Sequence, residues 1–154
     1  MVYMFALKGN FRKRIELSDM DFVSILIAAA CHDYAHDGFT NAYHVQSMTN
    51  RALRYHDESV QENFHAAESM TLLVHKDNSF LENLEYDQIK VFRKRVVGLI
   101  LATDMAKHMA DLKSFKAKCE SRGVNNIDDN IEAFIDKTDE STIFESQQDI
   151  LDIC

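Results

Sequence analysis

Apolar residues recur along this chain with a helical period, and short polar breaks divide them into elements. Residues 22–30 (FVSILIAAA) are the most apolar run, and the preceding SDMD offers N-cap residues, so the pattern predicts a helix reaching about Asp33. Asp37 and Gly38 break it. A second helix is predicted over residues 41–55, turned by HDES at 56–59, and a third over 60–75. A fourth, long one starts near Tyr86 and runs through VFRKRVVGLILATDMAKHM. Its middle, residues 96–102, is apolar on every side and is expected to be buried all round. RGVNN at 122–126 is the clearest turn, with two amphipathic helices expected after it. No internal repeat or flexible linker interrupts the series.

Composition narrows the fold class. The 154 residues contain no proline and only four glycines, whereas average usage would give roughly eight prolines. So few breakers favour long helices and short turns, and the chain reads as an all-α, multi-helix bundle forming a single domain over residues 1–154. Cys31, Cys119 and Cys154 are odd in number and far apart. That argues against a disulfide framework and suits a reducing, cytoplasmic location. The apolar runs are too short to span a membrane, and the first eight residues do not make a signal peptide. Residues 120–154 hold ten acidic residues against Arg122 and Lys137, which equals the whole net charge of −8. This segment reads as a solvated acidic face, and it would repel nucleic-acid phosphates.

The chemistry concentrates where the first apolar run stops, in CHDYAHDGFTN, residues 31–41. If the helix continued, His32 and His36 would lie one above the other at i, i+4, with Asp33 pointing about 100° away. A carboxylate at the end of a buried helix needs a partner, and imidazoles beside a carboxylate form a natural set for a first-row metal. The bland alternative is a fraying helix end with solvated His and Asp. HDYAH also has the HExxH spacing of zinc proteases, but Asp is one methylene shorter than the Glu base and no third ligand follows closely. In the other metal reading, His32 and Asp33 are direct ligands, with Asp33 bridging two ions. Glu62 and His65 in ENFH share a helix face at i, i+3, which resembles the di-iron E-x-x-H pattern, but only one copy occurs. They suit a role in orienting metal-held waters. Thr103 and Asp104 in LATDM again place polar groups at the end of an apolar helix.

Taken as a series, these motifs resemble the class I 3',5'-cyclic-nucleotide phosphodiesterases, which belong to the HD-type metallophosphohydrolases. HDYAHDGFTN is similar to the HDxxHxGxxN signature, RYHDESVQENFH to YNDxSVLENHH, and LILATDMAKHM to VLATDMxxH. The resemblance covers roughly residues 5–154. It implies His32 and Asp33 as ligands of a tightly held metal, usually zinc, with Asp33 reaching a second ion, usually magnesium or manganese. His36, Glu62, His65 and Thr103 match positions that hold the waters of that ion. Tyr55 and Met105 match pocket positions near the scissile phosphate, and Gly38 and Asn41 match structural ones. The implied reaction is attack of a hydroxide held between the ions on cAMP or cGMP, giving the 5'-monophosphate.

The departures are equally specific. The upstream HNxxHAxDV-like motif, which carries the family's proton-donating histidine and another metal ligand, does not occur here. A further aspartate ligand and the residues that clamp the purine lie downstream of the matching region. His56 stands where asparagine is usual, Gln61 where leucine is usual, and Phe64 where the first of two histidines is usual. The expectation is therefore the central part of a phosphodiesterase catalytic domain, with two of four metal ligands and no catalytic proton donor of its own. Such a chain hydrolyses cyclic nucleotides slowly or not at all, and its exposed apolar helix faces are candidates for self-association. The alternatives are a non-catalytic interaction fragment and another HD-type nucleotide phosphohydrolase. His44, His75 and His108 read as surface or partly satisfied core residues.

Overall fold

A computed structural model of the chain describes residues 17–78 and 81–121. The turn and two helices expected after residue 121, the acidic segment and the two later cysteines' surroundings lie outside the described residues. Six α-helices occur among the described residues: α1 (Asp19–Cys31), α2 (Asn41–Gln46), α3 (Asn50–Arg54), α4 (Val60–Val74), α5 (Tyr86–Leu101) and α6 (Met105–Ser121). A 3-10 turn, Leu81–Asn83, precedes α5, and no strand occurs among the described residues.

The first three starts have a local cause. Ser18 caps α1, its hydroxyl accepting from the Asp21 N–H at 3.2 Å while Asp21 accepts the Ser18 N–H at 3.1 Å. This is a capping box with aspartate in the glutamate position. The other carboxylate oxygen of Asp21 takes the Arg95 guanidinium at 2.7 Å, tying α1 to α5. Thr40 and Thr49 cap α2 and α3 through their hydroxyls.

The core lies where α1 and α4 pack on α5. Phe92, Val96 and Ile100 of α5 are fully buried, with Leu99 beside them, at the spacing of one helix face. Ala66, Met70 and Leu73 of α4 meet them, together with Ala28 and Leu81. Burying a phenylalanine such as Phe92 contributes about 1.5–3 kcal/mol. The all-round burial expected for residues 96–102 is not what is observed: Gly98 faces outward, and Leu101 and Ala102 are half-buried.

Three helix boundaries depart from the sequence pattern. The helix expected over 41–55 is two short ones, because Met48 turns left-handed (φ 45) and Thr49 restarts the chain with its own cap. The long helix expected from residue 86 breaks at 102–104, where the Thr103 hydroxyl donates to the Ile100 carbonyl at 2.7 Å and Asp104 accepts the Ala106 N–H at 2.9 Å. Most consequential, α1 stops at Cys31 rather than near Asp33, and the chain tightens through Tyr34 N–H to Cys31 O and His36 N–H to Asp33 O. Ala35 then takes φ 59, so His36 does not stand above His32.

This turn can be checked by substitution. Glycine inside a helix costs about 1 kcal/mol relative to alanine, whereas alanine held left-handed carries about 1–2 kcal/mol of strain that glycine lacks. Ala35→Gly is expected to raise stability to urea by about 0.5–1 kcal/mol. Ala35→Val is expected to lower it. A loss on glycine substitution would return His36 to a helix.

Candidate functional site

The irregular segment between α1 and α2 is held against α4 by a stripe of polar side chains. Gln61, His65 and Ser69 follow one another at i, i+4, i+8 and are all buried, so they rise in a row about 6 Å apart. Ser69 Oγ donates to Cys31 O at 3.3 Å, His65 Nδ1 to Tyr34 O at 2.7 Å, and Gln61 Nε2 to Phe39 O at 2.8 Å. Three main-chain carbonyls of an irregular segment thereby find donors on one regular helix. The residues with chemistry are carried on that segment.

His32 and Asp33 sit on the exposed turn that ends α1. His32 Nδ1 lies 3.0 Å from the Ala29 carbonyl, which can only accept, so Nδ1 carries a proton and Nε2 is turned outward. That Nε2 is 3.2 Å from Asp33 Oδ2. With a proton on Nε2 the two form an ion pair, and without it they are two acceptors that a cation would join. Ligands at zinc distances around a tetrahedral ion stand about 3.3 Å apart, so the pair fits one edge of a metal site. His65 makes the same point in the interior: its Nδ1 is committed to Tyr34 O, and its buried Nε2 has no hydrogen-bond partner. His36 stacks on it, the ring centroids 5.4 Å apart at 23°, and accepts the Gly38 N–H on Nδ1 at 2.8 Å. The residues present thus fit a divalent ion as part of a ligand set. Among the described residues no three His, Cys, Asp or Glu side chains are grouped to hold one alone.

Glu62 is one turn before His65 and is fixed from a distance. Ser59, the residue before α4, is itself left-handed (φ 41) and does not cap the helix with its side chain. Asn41 does so instead: its Oδ1 accepts the Gln61 N–H at 2.8 Å and its Nδ2 donates to Glu62 Oε2 at 2.9 Å. The Ser59 hydroxyl is turned to Asp104 Oδ2, at 2.6 Å in a buried contact. This bond draws the turn before α4 to the α5–α6 junction, where Thr103 and Met105 flank Asp104. Tyr55 is half-buried, and Met105 is 73% exposed. The Thr103 hydroxyl is spent on the Ile100 carbonyl.

A polar cluster that the sequence motifs do not announce completes the site. Asp37 accepts from Gln61 Nε2 at 2.8 Å and from the Phe39 N–H at 3.2 Å, and Arg51 Nη1 lies 3.0 Å away. Buried His44 reaches Asp37 at 3.4 Å and Thr49 Oγ1 at 2.9 Å, which makes it a satisfied core histidine. The Arg51 guanidinium stands 3.5 Å over the Phe64 ring and donates to Gln61 Oε1 at 2.8 Å. Partial burial pushes the Asp37 carboxyl up, but the Gln61 and Phe39 hydrogen bonds and the Arg51 charge outweigh it and lower the pKa from 3.8 to about 2. In sequence Asp37 reads only as a helix breaker. The single hint is Gln61, a polar residue where leucine is usual.

The described helices carry a His–Asp pair at the end of α1 and a buried histidine with an unpartnered ring nitrogen on α4, side chains of the kind that ligate divalent metals. The family model of 3'5'-cyclic nucleotide phosphodiesterase matches residues 1–151, and the chain belongs to that family. It is 37% identical over 126 residues to the chimpanzee (Pan troglodytes) "High affinity cGMP-specific 3',5'-cyclic phosphodiesterase 9A", covering 82% of this chain and 20% of that protein. It is 45% identical over 100 residues to "Probable 3',5'-cyclic phosphodiesterase pde-3" of Caenorhabditis elegans, covering 65% of this chain and 15% of that one. The phosphodiesterase domain of the RhoPDE fusion protein of Salpingoeca rosetta superposes with a TM-score of 0.67 at 34% identity, covering 77% of this chain and 38% of that chain. The chain thus spans about a fifth or less of the length of these two relatives. The family implies dependence on divalent metal. No helix among the described residues is long and apolar enough to cross a membrane.

Two outcomes follow from this geometry. Because the Asp37 carboxyl titrates at about 2 when folded against 3.8 ordinarily, its contribution to stability is complete above about pH 4 and is lost as pH falls through 2. Asp37→Asn should flatten that part of an acid-unfolding curve followed by circular dichroism. Asn41→Ala, which strips α4 of its cap and Glu62 of its donor, should cost about 1–3 kcal/mol in urea unfolding. Asn41→Asp keeps the capping oxygen but sets a like charge against Glu62, and should fall between.

Proposed function

We propose that this chain carries the central part of a 3',5'-cyclic-nucleotide phosphodiesterase catalytic domain, acting on cAMP or cGMP to give the 5'-monophosphate. The observation that carries the reading is the close approach of two metal-ligating atoms, His32 Nε2 and Asp33 Oδ2, 3.2 Å apart at the end of α1. His32 and Asp33 would hold a tightly bound zinc, and Asp33 would also reach a magnesium or manganese. Divalent ions in such a site supply charge to the phosphoryl oxygens and acidify water. The chain's own residues do the positioning. His65, with Nδ1 fixed by Tyr34 O, offers the Nε2 lone pair to a water, and His36 is held against it by stacking. Glu62, oriented by Asn41, stands one turn before His65 on α4 and would bind the same waters. Thr103 is assigned to the same waters, and Tyr55 and Met105 to the wall of the nucleotide pocket. Residues 1–154 are read as one part-domain, with the proton-donating histidine outside this sequence. The odd, widely spaced cysteines suit the cytoplasm.

Elemental mass spectrometry of the purified chain tests the site. Zinc or manganese should be present in less than one equivalent and should vanish in both His32→Ala and Asp33→Ala, while helicity is kept. Metal retained in both variants overturns the ligand assignment. Hydrolysis of cAMP and cGMP by the chain alone should be slow or undetectable, since two donors give only part of a ligand set. Turnover matching that of a longer relative would show that the part-domain reading is wrong.

A further inference from the structure

Gln61 grips the loop between His36 and Asn41 at three points. Its Nε2 donates both to Asp37 Oδ1 and to the Phe39 carbonyl at 2.8 Å, and its own main-chain N–H donates to Asn41 Oδ1 at 2.8 Å. Its Oε1 accepts from Arg51 Nη1 at 2.8 Å, and Arg51 in turn reaches Asp37 Oδ2 at 3.0 Å. Only one orientation of the amide works, with its donor end on two acceptors and its acceptor end on the guanidinium. The side chain is only 4% exposed, so water is a poor substitute for any of these partners.

We propose that Gln61, closed by Arg51 and Asp37, is a positioning residue that sets where His36 and the Asn41–Glu62 pair stand relative to His65. The proposal rests on the phosphodiesterase reading of those residues, and it explains why this chain departs from the signature at position 61. Leucine can make none of the three side-chain bonds. Here it would strand the Phe39 carbonyl and a guanidinium N–H, and would deprive Asp37 Oδ1 of one of its donors. The polar clamp is therefore not interchangeable with the apolar contact that leucine would make. His36 is one residue from Asp37, and Glu62 is next to Gln61 and bonded to Asn41. A shift of the clamp is passed directly to both.

The test uses side-chain 1H–15N spectra of the histidines together with amide exchange, on the full chain without added metal. Gln61→Leu and Gln61→Glu should both move the His36 and His65 ring signals. They should also speed exchange of the Gln61 position's amide and of Glu62 about tenfold, while Phe92 and Val96 exchange as in the wild type. Ring signals that stay put in both single variants overturn the proposal. If a single variant at 61 does not fold, Asp37→Asn alone, which keeps the shape of the side chain, must move the same two signals; unmoved signals overturn the proposal equally. None of these readouts needs turnover, so a failed clamp and a failed assignment of hydrolysis show up separately.

Discussion

The row Gln61, His65 and Ser69 along α4 is the constraint on which the rest of the site depends. An irregular segment packed against a helix exposes carbonyls that must be paired, since each buried one left alone costs about 1–3 kcal/mol. Phe39, Tyr34 and Cys31 offer three such carbonyls, and the helix supplies a donor for each at its own regular interval. Irregular backbone thereby inherits the precision of a helix. The neighbouring stripe of α4, Ala66, Met70 and Leu73, meets α5 in the core. One helix thus buries apolar surface on one line and organises polar chemistry on the next. Loss of either line would move both.

A second constraint is that capping groups are exchanged between elements. Ser59 stands where a cap for α4 belongs, but its left-handed backbone turns the hydroxyl to Asp104, which itself caps α6. Asn41, at the start of α2, fills the vacated role for α4. The start of α4 is therefore satisfied from α2, and the residue that caps α6 is tied to the turn before α4. A local cap stabilises one helix, whereas these caps also fix how α2, α4 and α6 meet. The junction of α5 and α6 is tied to the turn before α4 by that exchange.

Much of this was legible in the sequence, for identifiable reasons. The helices α1 and α4 begin where their punctuation says, because Ser18 and the HDES turn act locally. The core of α5 follows directly from the spacing of Phe92, Val96 and Ile100. What escaped the pattern is the set of breaks inside apolar or helix-compatible stretches. Nothing in LATDM forbids a continuous helix; the break comes from Asp104 being claimed by Ser59, 45 residues earlier. The Met48 turn had one readable sign, Thr49 as a cap, outweighed by the helical spacing around it. The paired histidines of HDYAH suggested a shared helix face, yet His36 belongs with His65 of α4, because His65 binds the Tyr34 carbonyl and Ala35 turns left-handed. The Asp37–Arg51–Gln61 cluster joins three separate segments, and no spacing rule reaches that far.

The polar residues of this site fall into two groups by whether their hydrogen bonds are complete. Asp37, Asn41, His44, Arg51 and Gln61 have well-placed partners within the protein, and such a network rigidifies. His32, Asp33 and His65 do not. His32 Nε2 and Asp33 Oδ2 face each other across 3.2 Å on an exposed turn, and one buried ring nitrogen has nothing to bond. A fold that satisfies Asp104 from 45 residues away has the means to satisfy His65 as well, so the omission is informative. Incomplete groups beside a complete network are what a site for an outside ligand requires: the network fixes their positions, and the ligand supplies the missing charge or proton. On the proposed reading, the chemistry would belong to these three residues, and the more elaborate cluster around Gln61 would be their support.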